Sequence, residues 1–123
     1  MDNTICHFDI PCDDPASAGE FYTALFGWKV VPVPNMEGEY LLLQTSSKPG
    51  SLGGGLCKRG GDHESPFFYV MVEDIDASTE ALKELGGTVV TERAPIPQVG
   101  YIVTAKDPQG NSLGLLQEDK EAQ

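Results

Sequence analysis

The chain of 123 residues carries the segment HFDIPCDDPASAGEFYTALFGWKV at residues 7–30 and a related segment, FFYVMVEDIDASTEALKELGGTVV, at residues 67–90. An offset of 60 residues brings matching residues into register: Asp14 with Asp74, Leu25 with Leu85, and Gly27 with Gly87. Self-similarity at a fixed offset is the signature of a duplicated supersecondary unit. Because 123 residues are too few for two independent cores, the sequence predicts two copies of one unit within a single domain.

The first copy is predicted to fold as βαβββ. Residues 5–12 alternate in polarity as a half-buried strand does, which places His7 and Asp9 on the face opposite Phe8. A helix is expected to begin at Asp13-Asp14-Pro15 and to end at Gly27. Its apolar stripe, expected to face the core, consists of Ala18, Phe21, Tyr22 and Leu25. The remaining strands are expected at residues 28–33, 40–45 and 53–57.

The second copy is predicted to repeat this order. A strand at residues 67–72 is apolar on both faces, so we expect a helix to cover one face and a cavity or another subunit to cover the other. The helix is expected to start at Asp74 or Asp76 and to end at Gly86-Gly87. Its expected core residues are Ala81, Leu82 and Leu85. Strands are expected at residues 88–91, 101–105 and 113–117, and the charged tail at residues 118–123 is expected to fray.

Composition and charge narrow the classes of function. Eight Lys and Arg residues against nineteen Asp and Glu residues give a net charge of -11, which opposes binding to nucleic acid or to anionic membranes. The same charge favours a cationic small molecule, with solubility as the alternative explanation. The chain has no apolar run of membrane-spanning length and no export signal, so a cytoplasmic location is expected. Three cysteines, Cys6, Cys12 and Cys57, lack metal or redox spacing and are expected to be reduced thiols.

Several motifs resemble those of the vicinal oxygen chelate superfamily, which includes glyoxalase I, bleomycin-resistance proteins, fosfomycin-resistance enzymes and extradiol dioxygenases. In chain order the motifs are His7-Phe8-Asp9-Ile10-Pro11, Asp14-Pro15, Phe21-Tyr22, Phe26-Gly27-Trp28, Gly53-Gly54-Gly55-Leu56, Val72-Glu73-Asp74-Ile75-Asp76, Leu85-Gly86-Gly87 and Lys106-Asp107-Pro108-Gln109-Gly110-Asn111. The resemblance implies an α+β fold in which two tandem βαβββ modules form a curled mixed sheet. It implies one domain over residues 1–123, with module one at about 4–58 and module two at about 66–118.

The resemblance also implies where a metal ion would bind. Metal-dependent members of this superfamily hold a divalent ion with His, Glu or Gln side chains on the first and fourth strands of both modules. These positions carry over to His7, to Gly54 or Gly55, to Phe67 and to Gly114. Glycine and phenylalanine have no donor side chain, and such a site needs about three protein donors. We therefore expect no metal ion and no other cofactor.

A ligand is expected on the inner face that these positions define. His7 is the candidate for proton transfer, because imidazole groups change charge near neutral pH, and a structural hydrogen bond is the alternative. The glycines either leave space for a ligand or satisfy a packing requirement. Core or dimer-interface packing is the alternative for Trp28 and Tyr40, and His63 is expected in a solvated loop. The expected ligand-binding residues are His7, Asp9, Trp28, Tyr40, Gly54, Gly55, Phe67, Tyr69, Met71, Tyr101 and Gly114.

Two functions remain open from the sequence, and a third possibility is that the module only pairs with itself or with another protein. The first is metal-independent binding of a small organic ligand, aromatic or cationic, in an apolar cavity, as in glyoxalase-like and bleomycin-resistance-like proteins. The alternative is a lyase or isomerase, similar to lactoylglutathione lyase, that acts on a small oxygenated metabolite with His7 as general base or through an unforeseen metal site. By resemblance a homodimer is expected, with neither nucleic acid nor a membrane as partner.

Overall fold

The computed structural model describes residues 3–34, 39–60 and 64–123, and His63 lies outside these described residues. Within them the chain forms eight strands and two helices, which confirms the predicted α+β class and the two βαβββ modules. The chain divides into two compact units. The first unit is His7–Pro66, and the second unit combines residues 3–6 with Phe67–Gln123.

The first unit contains one helix and a four-stranded mixed sheet. Its elements are β1 (Ile5–Cys12, of which the first residues belong to the second unit), α1 (Pro15–Phe26), β2 (Lys29–Pro32), β3 (Tyr40–Gln44) and β4 (Gly53–Lys58). The strand order is β2-β3-β4-β1, with β1 parallel to β4 and the other pairs antiparallel. Helix α1 begins after Asp14, whose carboxylate accepts a hydrogen bond from the Ser17 amide at 3.3 Å, and ends at Gly27 in the left-handed conformation.

The strand register assigns the side chains of this sheet to two faces. Phe8 pairs with Gly54, and Gly54 pairs with Leu43, so these residues share one face. Helix α1 covers that face, since Gly19 packs on Val30 and Leu56. His7 and Asp9 therefore lie on the opposite face, as the alternation in the sequence predicted.

The core-facing stripe predicted for α1 was wrong at two of its four residues, Phe21 and Leu25, whereas Ala18 and Tyr22 are half-buried. Phe21 is 59% exposed and Leu25 is 58% exposed, whereas the buried residues of the helix are Pro15 and Gly19. The absence of a side chain at Gly19 lets the helix backbone approach the sheet closely. The bulky residues consequently project from the other side of the helix.

The second unit has the same order of elements. These are β5 (Phe67–Met71), α2 (Ile75–Glu84), β6 (Thr88–Ile96), β7 (Gly100–Lys106) and β8 (Ser112–Glu118), with strand order β5-β8-β7-β6. Asp74 caps α2, because its carboxylate accepts hydrogen bonds from the amides of Asp76 and Ala77, both at 3.1 Å. The core of this unit is built from Val72, Ile75, Val103 and Leu115, with Leu82 and Val89 packed against it.

Three predictions for the second unit need correction. Leu85 is 79% exposed and Ala81 is also exposed, because α2 turns Ile75 and Thr79 toward the core instead. Strand β6 continues to Ile96 rather than ending at Thr91, and as an edge strand it tolerates Pro95 and two register shifts against β7.

The carboxyl-terminal tail is ordered by backbone hydrogen bonds, not frayed. The Asp119 amide donates to the Val99 carbonyl at 2.9 Å, and the Gln98 amide donates to the Ala122 carbonyl at 3.0 Å. Ala122 is only 1% exposed. Neither helix in the described part of the chain is long and apolar enough to cross a membrane.

Candidate functional site

A hydrogen-bonded cluster of His7, Asp9 and Tyr40 lies on the sheet face of the first unit that α1 does not cover. The Tyr40 hydroxyl donates to Asp9 Oδ1 at 2.6 Å. His7 Nε2 lies 2.7 Å from the Tyr40 hydroxyl and 3.2 Å from Asp9 Oδ1. The Asp9 side chain is 8% exposed and the His7 side chain 26% exposed, so the imidazole forms the accessible part of the cluster.

The geometry of this cluster fixes the position of one proton on His7. The Tyr40 hydroxyl has one proton, which it donates to Asp9. In the contact with His7 Nε2 the hydroxyl oxygen is therefore the acceptor. Asp9 is acceptor-only when ionised, which again requires a proton on Nε2. His7 is therefore protonated at Nε2, and Asp9 orients the ring as carboxylates commonly orient histidines.

The register of β1, β3 and β4 explains how three residues distant in sequence meet. Asp9 pairs with Gly55 on β4, and Gly55 pairs with Leu42 on β3. Tyr40, two residues before Leu42, points to the same face, and its hydroxyl lies over Gly55. A Cβ atom at residue 55 would overlap the Tyr40 hydroxyl. The Tyr40 hydroxyl can therefore reach His7 and Asp9 only because residue 55 is glycine.

Neighbouring aromatic rings lie directly over the glycines of the expected site. The ring of Phe8 covers Gly54, and the ring of Tyr69 covers Gly114, each so closely that a Cβ atom would collide with it. The Tyr40 hydroxyl lies equally close over Gly55. At all three positions, then, a glycine is needed for a neighbouring side chain to pack. At Gly54, Gly55 and Gly114 the position of the missing side chain is therefore taken by a neighbouring ring, as the packing alternative describes.

The residues at the four metal positions of the superfamily do not fit a divalent ion. Only His7 offers a donor, while the positions at Gly55 and Gly114 are occupied by the tyrosine side chains of neighbouring strands. Asp9 approaches His7, but the third member of that cluster is a phenol engaged with both. Across the described ranges no group of three or more His, Cys, Asp or Glu residues is arranged to hold a metal ion.

Cys57 borders the cluster and was not among the residues expected at the site. It pairs with Tyr40 and with Pro11, so it shares their face of the sheet. Burial of the thiol and, as the second cause, the negative charge of Asp9 raise the pKa of Cys57 to about 11. The signal in the sequence was the alternation of β4, in which Gly53, Gly55 and Cys57 share one face.

Other expected site residues lie elsewhere in the fold. Tyr101 is on the helix-covered face of its sheet, where it packs against the core and where the Arg93 guanidinium lies 4.8 Å from its ring centroid. Trp28 stacks on Tyr22 at 5.4 Å, next to the exposed side of α1.

Phe67, Tyr69 and Met71 alternate with Phe68 and Val70 along β5 and share the face of Gly114 in the second unit. The rings of Phe67 and Tyr69 pack at a centroid distance of 5.4 Å, and both residues are buried. Thr104 faces Gly114 from β7, and its buried hydroxyl has no hydrogen-bond partner within the described part of the chain. By strand register Ser112 and Lys106 share this face with Gly114 and Thr104.

A groove of about 410 Å³ lies on the opposite side of the first sheet, between α1 and strands β2 and β3. Its lining is mostly apolar and consists of Ala16, Gly19, Glu20, Thr23, Ala24, Val30 and Leu41. None of these residues belongs to the His7 cluster. The groove is therefore separate from the candidate site.

Comparisons with known proteins agree with the resemblance seen in the motifs. The family model described as Glyoxalase/Bleomycin resistance protein/Dioxygenase superfamily matches residues 4–115. A glyoxylase-like domain-containing protein of Didymella fabae is 27% identical, with 90% of this chain and 91% of that protein covered. The anthracycline biosynthesis protein DnrV of Streptomyces peucetius is 29% identical, with 88% of this chain and 44% of that protein covered.

The structural comparison supports the fold. The crystal structure of methylmalonyl-CoA epimerase from Mycobacterium tuberculosis superposes with a TM-score of 0.66 at 22% identity, covering 94% of this chain and 87% of that one. The chain spans less than half the length of the first curated relatives that it matches.

Proposed function

Because the chain belongs to the glyoxalase/bleomycin resistance protein/dioxygenase superfamily, we propose that it binds a small organic molecule as a glyoxalase-like and bleomycin-resistance-like protein, without a metal ion. The observation that carries this proposal is the cluster of His7, Asp9 and Tyr40. Its buried carboxylate fixes the orientation of a partly exposed imidazole, which is the arrangement of a polar anchor for a ligand. Only one of the four superfamily metal positions has a side chain that could bind a metal ion. This supports a site that binds its ligand through hydrogen bonds and apolar contacts rather than through a metal ion.

Apolar surface next to the cluster supplies the second part of the proposed site. Leu42 shares the face of Gly55 and is 39% exposed, and Val31 pairs with Leu42 from β2. Burying such surface against an aromatic ligand is favourable by about 25 cal/mol per Å². Polar anchoring at His7 and apolar burial at Leu42 together favour a ligand that is flat, apolar and carries a hydrogen-bonding edge.

The charge of the chain and the name of one relative favour an aromatic cation. A net charge of -11 attracts cations over the whole surface. DnrV is named for anthracycline biosynthesis, and anthracyclines are polycyclic aromatic compounds that often carry an amino sugar. We therefore choose daunorubicin as the first probe of the site.

The experiment compares daunorubicin binding by the wild type and three variants in calorimetric titrations. We expect His7→Ala and Tyr40→Phe to weaken binding about tenfold, since a tenfold change corresponds to about 1.4 kcal/mol, the size of one lost hydrogen bond. Tyr101→Phe is the matched control, because Tyr101 lies on the other face of its own sheet. Equal affinity of wild type and His7→Ala, or no binding of daunorubicin and a panel of other aromatic amines, would overturn the proposal.

A second candidate is a lyase or isomerase that acts on a small oxygenated metabolite. The pairing of His7 with the buried carboxylate of Asp9 favours it, because a carboxylate that orients an imidazole supports proton transfer by that ring. The test is an assay with the hemithioacetal of methylglyoxal and glutathione. Product that forms with the wild type and is lost in His7→Ala would favour the enzyme over the binding protein, and no product in either would exclude this substrate.

A further inference from the structure

The loop that joins β3 to β4 borders a polar pocket of about 270 Å³. A water molecule occupies about 30 Å³ in the liquid, so the pocket has room for a small oxyanion together with part of its hydration shell. The polar side chains that line it belong mainly to Thr45, Ser46, Ser47, Lys48 and Ser51. No Asp or Glu among the described residues is part of this lining. We call it the loop pocket.

Hydrogen bonds within the loop hold the pocket open. The Thr45 hydroxyl donates to the Leu52 carbonyl at 2.5 Å and so ties the two ends of the loop together. The Lys48 amide donates to the Ser46 hydroxyl at 3.1 Å, and the Ser51 amide donates to the Lys48 carbonyl at 3.3 Å. The backbone of the loop is therefore folded back on itself with the polar side chains around a common space.

Three side-chain donors of the loop pocket remain available to a ligand. The hydroxyls of Ser47 and Ser51 have no hydrogen-bond partner among the residues that the structure describes. Within the same residues the Lys48 ammonium belongs to none of the ion pairs. Two hydroxyls and one ammonium match a phosphate group, which has three strong acceptor oxygens and which lysine binds as a point charge.

The local charge around the loop pocket is opposite in sign to that of the whole chain. Residues 40–61 are the longest stretch without an acidic residue and contain three basic ones, including Lys48. A further cation, Lys29, pairs across the strands with Gln44, which also lines the pocket. Exposed charges farther away than about 8 Å are largely screened at physiological ionic strength. An anion at the loop therefore meets mainly positive charge, although the net charge of the chain is -11.

The corresponding loop of the second unit already contains an anion, the carboxylate of Asp107. This carboxylate accepts hydrogen bonds from the amides of Gln109 and Asn111 at 2.8 and 2.9 Å, and from the Asn111 side-chain amide at 3.1 Å. These bonds, first of all the one from the Asn111 amide, lower the pKa of Asp107 below its ordinary value of 3.8. The loop between the last two strands of this unit thus stabilises a negative charge of its own.

In the first unit the equivalent carboxylate is missing, because the offset of 60 residues puts Ser47 at the place of Asp107. We propose that the loop pocket binds a phosphate group, either as the free ion or as the end of a small phosphorylated molecule. The phosphate supplies from outside the negative charge that Asp107 supplies in the second unit. Its oxygens accept hydrogen bonds from the hydroxyls of Ser47 and Ser51 and from the ammonium of Lys48.

The loop pocket is distinct from the cluster of His7, Asp9 and Tyr40. None of these three residues lines it, although Gly53 does and pairs with His7 in the register of β1 and β4. Binding of phosphate at the loop requires no ligand at His7. A failure of daunorubicin to bind would therefore leave this inference intact, and the reverse also holds.

The test is a titration with inorganic phosphate, followed by the amide resonances of the isotope-labelled chain in two-dimensional NMR spectra. We expect saturable shifts of the amides in residues 46–51 with phosphate. Sodium chloride at the same ionic strength should not produce them. Equal shifts with both salts would overturn the site, because they would show an effect of ionic strength alone.

Three variants at exposed positions test the assignment of the donors. We expect Lys48→Met to weaken phosphate binding about tenfold or more, since it removes a charged hydrogen bond. Ser47→Asp introduces the carboxylate of the second unit and should abolish binding. Lys58→Met removes the same charge from the same acid-free stretch but away from the pocket, and should change the affinity by less than about twofold. Wild-type affinity in Lys48→Met or in Ser47→Asp would overturn the proposal.

A titration with phenyl phosphate distinguishes the two sources of the phosphate group. Tighter binding than that of inorganic phosphate, with the same loop amides shifted, would support a phosphorylated small molecule as the ligand. Equal or weaker binding at these amides would support the free ion. Shifts confined to residues outside the loop with either compound would contradict the proposed site.

Discussion

Gly55 and Tyr40 form a complementary pair in which the absence of one side chain makes room for another. The Tyr40 hydroxyl lies where a Cβ atom of residue 55 would be. We expect Gly55→Ala to lower the free energy of unfolding by about 1–3 kcal/mol, because overpacking forces the phenol away from Asp9. Urea denaturation measures this effect. Gly60→Ala is the control, since no atom lies within 4 Å of that Cβ position.

A double-mutant cycle separates this contact from a general intolerance of alanine at residue 55. In the background of Tyr40→Ala the obstructing phenol is absent, so Gly55→Ala should cost much less than it does in the wild type. Additivity of the two substitutions to within about 0.5 kcal/mol would show that the pair does not interact.

The ionised carboxylate of Asp9 has a measurable effect on the neighbouring thiol. Burial and the charge of Asp9 raise the pKa of Cys57 to about 11, so at pH 8 only about one thiol in 1,000 is ionised. Asp9→Asn removes the charge and should accelerate alkylation of Cys57 by iodoacetamide, followed by mass spectrometry. Cys6 serves as the internal control, because Glu118 is the charge that acts on it. An unchanged Cys57 rate would contradict an ionised Asp9 beside it.

Sequence alternation was sufficient to place His7 and Asp9 together on the uncovered sheet face. It could not show that Tyr40 joins them, because that depends on the register between β3 and β4, for which the sequence carries no direct signal. For the same reason the sequence left two interpretations of the glycines open, space for a ligand or a packing requirement. Whether a glycine leaves a void or admits a neighbouring ring is decided by residues on another strand, here Phe8, Tyr40 and Tyr69.

At the scale of elements, the amino-terminal cap of α1 makes stability depend on pH. Hydrogen bonds from the Ser17 hydroxyl and amide lower the pKa of Asp14 below its ordinary value of 3.8. A carboxyl group whose pKa is lower in the folded chain stabilises the fold above the unfolded pKa, and this contribution disappears as the pH falls through the folded pKa.

We therefore expect wild type to exceed Asp14→Asn in unfolding free energy near pH 6 and the two to converge below pH 3.8. Urea unfolding between neutral and strongly acidic pH measures the difference. The exposed variant Glu73→Gln is the control for the removal of one negative charge. A difference between wild type and Asp14→Asn that does not change with pH would contradict the role of the ionised cap.

Element order and most boundaries were predictable because alternation, caps and glycines are local signals. Strand β1 was predicted over the residues that it occupies, whereas β6 was predicted too short because Glu92, Arg93 and Pro95 are not typical of strands. The faces of the helices were less predictable. Periodicity identifies residues that share a face, such as Phe21 and Leu25, but in α1 the small residue Gly19 marks the face that packs on the sheet.

At the scale of the whole molecule, the net charge of -11 makes ligand binding depend on salt. The affinity for daunorubicin, a cation at neutral pH, should fall as ionic strength rises, because added salt screens the attraction. An uncharged aromatic ligand of the same site should show no such dependence. Titrations at low and high salt measure both. Equal salt dependence of the two ligands would contradict a role of the overall charge.

The most direct test of the account is the metal content of protein that was expressed in metal-replete medium and purified without chelators. Of the four positions at which the superfamily binds its metal ion, only His7 has a donor side chain. At Gly55 and Gly114, tyrosine side chains occupy the space in which a metal-binding side chain would lie. Elemental analysis should therefore find Zn, Ni, Fe and Mn far below one equivalent, at the same level in wild type and His7→Ala. One equivalent of any of them in the wild type, lost in His7→Ala, would contradict the account.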